Sequence, residues 1–460
     1  MSFFCSTVLA LVAQGSISDF IENKLLQNAT ISLNIVDLHT GKPVCEFRPA
    51  SAAIPASTMK LVTTSTALEL LGADFRFQTY LEIDGTIADS VLNGNLYIYG
   101  GADPTLGSKY MGDSKFLDKW ANAVKRAGIK EINGRVIADA SFFDTEGINP
   151  RWTWEDIGNY YAAGIYGISY LDNTYELVLQ SGLAGTTPKI IEMNPSIPEL
   201  TFDNHLKSTS IAYDSAYIYG APRAKDRAIY GAIPANRARF TIKGDIPNPD
   251  VLLVNHFVEK LRENDILIKE DVFFKTGSRK SIYTHQSPPL SDIIRQINVR
   301  SNNHYAEHLF RYLGALNQGD FSTSNAAINK IKSFWKEKGL PVEQLFMNDG
   351  SGLSPTNAVS ATFFTELLIY MQTKSKNSAV FKASLPVAGE NGTVSNFLKN
   401  TALKGKVHVK SGSIERVRSY AGYIDANGKN YAFAVIVNNA NGSSRDVVKK
   451  TEKLLTEAIK

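Results

Sequence analysis

A chain of 460 residues that is 43% hydrophobic and 20% charged has room for two or three globular domains. Its 49 Lys and Arg against 45 Asp and Glu leave a formal charge of +4, too small and too evenly spread along the sequence to argue for nucleic-acid binding. Beyond the N-terminus no apolar run is long enough to span a bilayer, so membrane association is at most peripheral.

Residues 3–13 form an apolar run of secretory length, followed by Gln14-Gly15. Residues 1–17 therefore read as a leader cleaved after Ala13, although a basic flank is missing; a buried N-terminal helix is the alternative. Loss of the leader removes Cys5 and leaves Cys45 alone, so cysteine usage does not identify the compartment.

Next, Pro55-Ala56 leads into Ser57-Thr58-Met59-Lys60. Leu61, Val62, Leu68, Leu70 and Leu71 predict a helix stopped by Gly72. Ser57 then lies in the first turn, and Lys60, on the same face, reaches its hydroxyl. A nucleophile and its base need that geometry; otherwise a Ser at a helix start is an N-cap. A free Lys holds its proton to pH ~10.4, so a base working near pH 7 demands about 4–5 kcal/mol. Burial and a second cation both push that way. A like charge at ~4 Å supplies roughly 4 kcal/mol at an effective dielectric of ~20. The helix N-terminus adds a smaller push and favours a developing oxyanion.

Strands are predicted over 75–83, 92–99 and 134–138, with a helix over 116–127. Arg151-Trp152-Thr153-Trp154-Glu155-Asp156 and Asn159-Tyr160-Tyr161 follow. Aromatics beside an acid suit an ammonium-bearing side chain; an exposed aromatic loop is the alternative. From 175 to 246 short strands alternate with Gly, Pro and Asn. A helix over 251–264 and a strand over 271–274 lead to Lys275-Thr276-Gly277 in a polar turn.

Ser301-Asn302-Asn303 precedes a helix over 305–313 and would alone read as a polar turn. His304-Tyr305-Ala306-Glu307-His308 overlaps it with the H-x-x-E-H spacing of a zinc peptidase. A surface helix carrying His and Glu is the plainer reading. Ser333-Phe334-Trp335-Lys336 repeats S-x-x-K on a charged helix where nothing lowers the lysine pKa. Finally Val407-His408-Val409 alternates into Lys410-Ser411-Gly412. Residues 419–424, an Asp425-Ala426-Asn427-Gly428 turn and residues 431–437 complete a strand–strand–hairpin pattern. Gly412, on a strand beside a nucleophile, would let a substrate backbone approach closely. This strand context favours Lys410 over Lys275, and Lys410 is the candidate second cation; His408 reads as an ordinary strand residue.

Ser57 and Ser301 stand 244 residues apart, more than a compact domain needs. The predicted catalytic domain is therefore in two pieces, 18–75 and 280–460. An inserted domain takes 76–175 and 246–279, with a nested β-rich domain at 176–245.

In this order S-x-x-K, S-x-N and K-[ST]-G are the motifs of serine acyl-transferases that react with penicillin. Further stretches are Gly101-Ala102-Asp103-Pro104-Thr105-Leu106, Asp349-Gly350-Ser351-Gly352-Leu353-Ser354 and Leu385-Pro386-Val387-Ala388-Gly389 with Gly392-Thr393. With these, the chain from about residue 20 resembles the class C low-molecular-mass penicillin-binding proteins, the D-alanyl-D-alanine carboxypeptidase/endopeptidases. Ser411 stands where that family usually has Thr, and the hydroxyl is kept. The resemblance implies an α/β (α+β) fold of serine β-lactamase/transpeptidase type: an antiparallel sheet flanked by helices, with a large insertion. It implies Ser57 as nucleophile, Lys60 as base, Ser301 as proton relay and Asn303 on the substrate amide. Lys410, with Ser411 and Gly412, would take the substrate carboxylate; the N–H groups of Ser57 and Ser413 would form the oxyanion hole. Asp156 and Tyr161 would line a pocket for the stem-peptide diamino acid. The implied activity is serine D,D-carboxypeptidase, with D,D-endopeptidase as a second activity, on peptidoglycan stem peptides. β-Lactams would be covalent inhibitors; no cofactor, metal or nucleic acid is implied, and the site of action is periplasm or cell envelope. Rival readings are a β-lactamase or esterase of the same fold, against which the long insert argues, and a non-catalytic penicillin-sensing or wall-binding module, against which intact Ser57, Lys60 and Lys410 argue.

Overall fold

The structure is a computed structural model that describes residues 15, 17–269, 277–316 and 321–460. Most of the predicted leader, the 271–274 strand and Lys275-Thr276 lie outside the described residues. The chain divides into two compact units. One holds Met1–Phe75, Pro289–Asn317 and Ser324–Lys460; the other holds Arg76–Pro288 and Gln318–Thr323.

The first unit is built on a five-stranded antiparallel sheet of β1 (Thr30–Asp37), β2 (Pro43–Phe47), β3 (Val407–Ile414), β4 (Val417–Ala426) and β5 (Lys429–Asn438), in the order β2-β1-β5-β4-β3. Asn427 and Gly428, at φ 55° and 71°, form the primed turn that a tight hairpin between β4 and β5 demands. Period-two alternation splits the sheet faces. Ile31, Leu33 and Ile35 of β1, Phe433 and Val435 of β5, and Val407 and Val409 of β3 share a core with Val447, Leu454 and Leu455 of helix Ser444–Ala458. The opposite face meets helix Ala361–Thr373: Asn34 donates to Thr365 (2.8 Å), and the Tyr423 hydroxyl donates to the Leu368 carbonyl (2.8 Å). Lys410 belongs by alternation to the face opposite Val407 and Val409, and is fully buried.

Four helical segments carry the remaining motifs. A one-turn 3-10 helix, Ala56–Met59, runs into α1 (Lys60–Leu71), which ends at Gly72 in the left-handed φ range, as expected. α2 (Leu290–Arg300) and α3 (Asn303–Ala315) are joined at Ser301.

The second unit has its own hydrophobic cluster, in which Leu81, Ile83, Leu96 and Ile98 pack with Trp120, Phe257 and Leu261. One predicted strand, 92–99, is two: Val91–Asn93 and Leu96–Gly100, broken where a Cβ at Gly94 would strike the Asp84 backbone. Residues 280–288, expected in the catalytic piece, fall here, because strand Lys280–Gln286 pairs with Gln78–Ile83. The segment 176–245, expected as a nested domain, is indeed strand-rich but shares the unit's cluster through Leu177, Ile218, Ile229 and Ile233.

Candidate active site

All the residues expected to perform the chemistry lie in the first unit. Ser57 sits half-buried in the 3-10 turn, and the turn's tightness delivers Lys60 beneath it: Lys60 Nζ donates to Ser57 Oγ at 3.0 Å. The same ammonium donates to Asn303 Oδ1 (2.6 Å) and to the Ser351 carbonyl (2.6 Å). Three acceptors satisfy its three donors. Ser301 is held at φ 57°, a left-handed corner ending α2, and Asn302 caps α3 by accepting from the Tyr305 amide (3.0 Å). That corner sets Ser301 to accept from Lys410 Nζ at 3.0 Å, and Lys410 also donates to the Ser411 carbonyl (2.7 Å). Ser411 Oγ lies 2.8 Å from Thr393 Oγ1, while Ser413 is exposed on the same strand.

Gly412 also has a packing reason within the fold. A Cβ there would strike Ser419 Oγ and the Pro55 carbonyl and come within 3.0 Å of the Ser57 amide nitrogen. The turn that carries Ser57 leaves no room for a side chain at this position.

Electrostatics also depart from expectation. Burial pulls Lys60 down to about 7, and the carboxylates of Glu307 and Asp349 oppose the fall. Lys410 is lowered well below its ordinary value, first by burial and then by the charge of Lys60. The second cation is thus present, but desolvation supplies the depression at Lys60, and the mutual repulsion is felt at Lys410.

Composition and motif spacing gave no role to the loop that braces this site. Glu307 accepts from the amides of Gly350 (3.2 Å) and Ser351 (2.6 Å). Asp349 accepts from Gly352 N (2.8 Å), Ser354 N (2.6 Å) and Asn357 Nδ2 (2.8 Å). Thr63 of α1 donates to the Gly350 carbonyl (2.7 Å). Together these place the Ser351 carbonyl on Lys60. In the sequence the stretch Asp349–Ser354 carried the family resemblance and its glycines marked a turn, but neither says what the loop faces. Burial and Asp349 push the Glu307 carboxyl up to about 8, while the Ser351 hydroxyl and two amides draw it back. A charged Glu307 favours the proton on Lys60.

The zinc spacing resolves differently. Glu307 serves the 350–351 amides, and among the described residues no three His, Cys, Asp or Glu side chains are placed to hold an ion. His304 and His308 pack ring against ring with centroids 4.5 Å apart. The duplicate Ser333 and Lys336 are exposed on helix Ser324–Glu337. Asp156 and Tyr161 belong to the second unit. Both are half-buried; Asp156 accepts from Thr153 Oγ1 (2.6 Å), and the Tyr161 phenol is hydrogen-bonded to Asp156. Burial first, then Asp156, raises the Tyr161 pKa, so the phenol stays the donor.

The sequence pattern of the D-Ala-D-Ala carboxypeptidase 3 (S13) family matches residues 13–458. The chain belongs to that family. It is a serine-type D-alanyl-D-alanine carboxypeptidase with the α/β fold of penicillin binding protein 4. The D-alanyl-D-alanine carboxypeptidase of Actinomadura sp. (strain R39) is 28% identical over 442 residues, 93% of this chain and 81% of its own length. D-alanyl-D-alanine carboxypeptidase DacB of Haemophilus influenzae is 24% identical over 465 residues, covering 98% of this chain and 94% of its own. The crystal structure of penicillin binding protein 4 from H. influenzae superposes with a TM-score of 0.83 at 23% identity, covering 95% of this chain and 98% of that one. S13 membership thus rests on nearly the whole chain, insertion included.

Proposed function

We propose that this S13 enzyme hydrolyses the terminal D-Ala-D-Ala bond of peptidoglycan stem peptides through an ester on Ser57, and opens D-Ala cross-links by the same chemistry. The observation that carries the reading is a fully buried Lys60 hydrogen-bonded to Ser57, with its proton affinity lowered to about 7. Ser57 Oγ attacks the penultimate D-Ala carbonyl carbon, and its proton passes to Lys60. The oxyanion is held by the N–H groups of Ser57 and Ser413. Collapse breaks the C–N bond; Ser301, bonded to Lys410, hands a proton to the departing amine and takes back the one that Lys60 accepted, which leaves Lys60 neutral. Lys410 and Ser411 take the terminal carboxylate, with Gly412 giving the strand room against the nucleophile, and Asn303 takes the substrate amide. Water then attacks the ester with Lys60 as base, releasing the shortened peptide and restoring Ser57. A β-lactam follows the first step only. Penicillin binding protein 4 of H. influenzae has been crystallised complexed with a novel β-lactam, which supports this.

The substrate lies outside the cytoplasm, so the reading includes export to the periplasm or cell envelope through residues 1–17. No helix among the described residues is long and apolar enough to cross a membrane. Asp156, steadied by Tyr161 and Thr153, binds the free amine of the diamino acid at stem position three.

Intact mass after incubation with penicillin tests the reading. One adduct is expected, absent in Ser57→Ala and unaffected by EDTA; an adduct on the alanine variant overturns it. Asp156→Asn is expected to change the rate ratio of amine-bearing to N-acetylated peptides several-fold, since an exposed ion pair gives only ~0.2–1 kcal/mol and a partly buried one more. Its penicillin acylation stays as in wild type.

A further inference from the structure

Within the second unit, strands Thr201–Asn204, Asp226–Tyr230 and Tyr217–Tyr219 form a three-stranded sheet. Alternation sends Ile218 and Ile229 into the core and leaves Tyr217, Tyr219 and Tyr230 on the other face. Register sets Tyr217 directly across from Tyr230. The loop over 151–158 is tied down here: the Ile218 amide donates to Asn159 (3.1 Å), and a Cβ at Gly158 would strike the Ile218 carbonyl. It lays Trp154 parallel to Tyr219, with planes 9° apart and centroids at 6.4 Å. Tyr217 lies 6.5 Å from Tyr219 at 19°, and His205 stacks on Tyr230 at 4.7 Å and 14°. Trp154 is 62% exposed, Tyr217 42% and Tyr230 44%.

Trp154, Tyr217 and Tyr230 thus keep much of their surface in solvent although His205 stacks on Tyr230 and Tyr219 meets it edge-on at 5.8 Å, and a contiguous exposed aromatic patch marks an interaction surface. Its flanks are acidic and hydroxylic. Asp203 and Asp226 are exposed on the same face, the first 2.8 Å from His205 and the second accepting from Thr201 at 2.6 Å. The carboxylates would repel a nucleic acid and are costly under an apolar protein surface. A sugar suits both features: its C–H face lies flat on an aromatic ring, and its equatorial hydroxyls and amides bond to carboxylates at the ring edge. The face also begins in the loop that carries Asp156, and Tyr161 lies within electrostatic reach of Tyr217.

We propose that Trp154, Tyr217, Tyr219 and Tyr230 form a platform for the glycan strand of peptidoglycan, so that this unit reads the polymer from which a stem peptide hangs. The inference rests on the stem-peptide reading of the substrate. The probe is peptidoglycan glycan strands stripped of peptides by an amidase. Wild type is expected to bind them. The Trp154→Ala/Tyr230→Ala double variant binds about ten-fold more weakly, and Trp154→Phe/Tyr230→Phe, which keeps the ring faces, retains most of the binding. All three acylate with penicillin and cleave a soluble D-Ala-D-Ala peptide alike. Wild type that ignores stripped strands, or an alanine variant that binds them equally, overturns the platform and leaves the catalytic reading intact. So does a concentration-dependent dimer that the alanine variant abolishes, since a second copy would then cover the face. Failure of wild type on penicillin and soluble peptide would instead sink the catalytic reading.

Discussion

At the scale of single residues, the site depends on where protons sit. Ser57 needs a neutral Lys60, so acylation should rise with pH through about 7. Glu307 lies on the other side of that balance. Raised to about 8, Glu307 is largely protonated across that limb, so Glu307→Gln should leave the acid limb near 7; a limb that moves to lower pH would show that Glu307 is ionised there. Folding stability follows by linkage. The unfolded chain keeps the Lys60 proton to ~10.4 while the folded chain releases it near 7, so the unfolded state binds more protons in between, and stability should rise with pH across that window. Lys410→Ala removes the hydrogen bond to Ser301 and should cut penicillin acylation by roughly 10²–10³-fold. Ser333→Ala, exposed on its helix, should leave it at wild-type level; a dead Ser333 variant would overturn the motif assignment.

At the scale of elements, the turn that carries Ser57 is clamped from two sides by glycines. Gly412 on β3 gives way to Pro55, Ser57 and Ser419; Gly352, at φ 81°, gives way to the Ala56 carbonyl and Met59. An alanine at either position should shift Ser57 by enough to cost about 10²-fold in acylation, with about 1–3 kcal/mol of stability lost to overpacking. Gly428→Ala, in the open β4–β5 turn at φ 71°, should cost about 1–2 kcal/mol and leave acylation unchanged. Stopped-flow acylation with parallel denaturant melts separates the two classes. This contrast also marks what the sequence could reveal. The helix behind Ser57, its stop at Gly72 and the β3–β4–β5 run were legible because local periodicity and turn chemistry dictate them. The Glu307–Ser351 brace was not, because 44 residues separate carboxylate and amide and no local pattern records which loop closes over α1. The Gly412 contact was hidden for the same reason: a glycine's need is set by what packs against it.

At the scale of the molecule, two cores imply two stabilities. Boundaries read from motif spacing missed residues 280–288 because sheet pairing with 78–83, not proximity in sequence to Ser301, decides their unit. The second unit holds a fully buried ion pair: Arg227 Nη2 lies 3.0 Å from Asp245 Oδ1, with side-chain exposures of 0% and 5%. Burial raises the Asp245 pKa, and Arg227 opposes the rise. Arg227→Met would leave that carboxylate buried without its partner, a loss of about 3–5 kcal/mol. For a unit of this size the melting transition should fall by roughly 10 °C. The ester on Ser57 belongs to the other unit, and a bound ligand stabilises the fold that holds it. Calorimetry should therefore find penicillin raising a transition that Arg227→Met leaves in place, and Arg227→Met lowering one that penicillin does not raise. A single transition moved by both would mean that the units unfold as one.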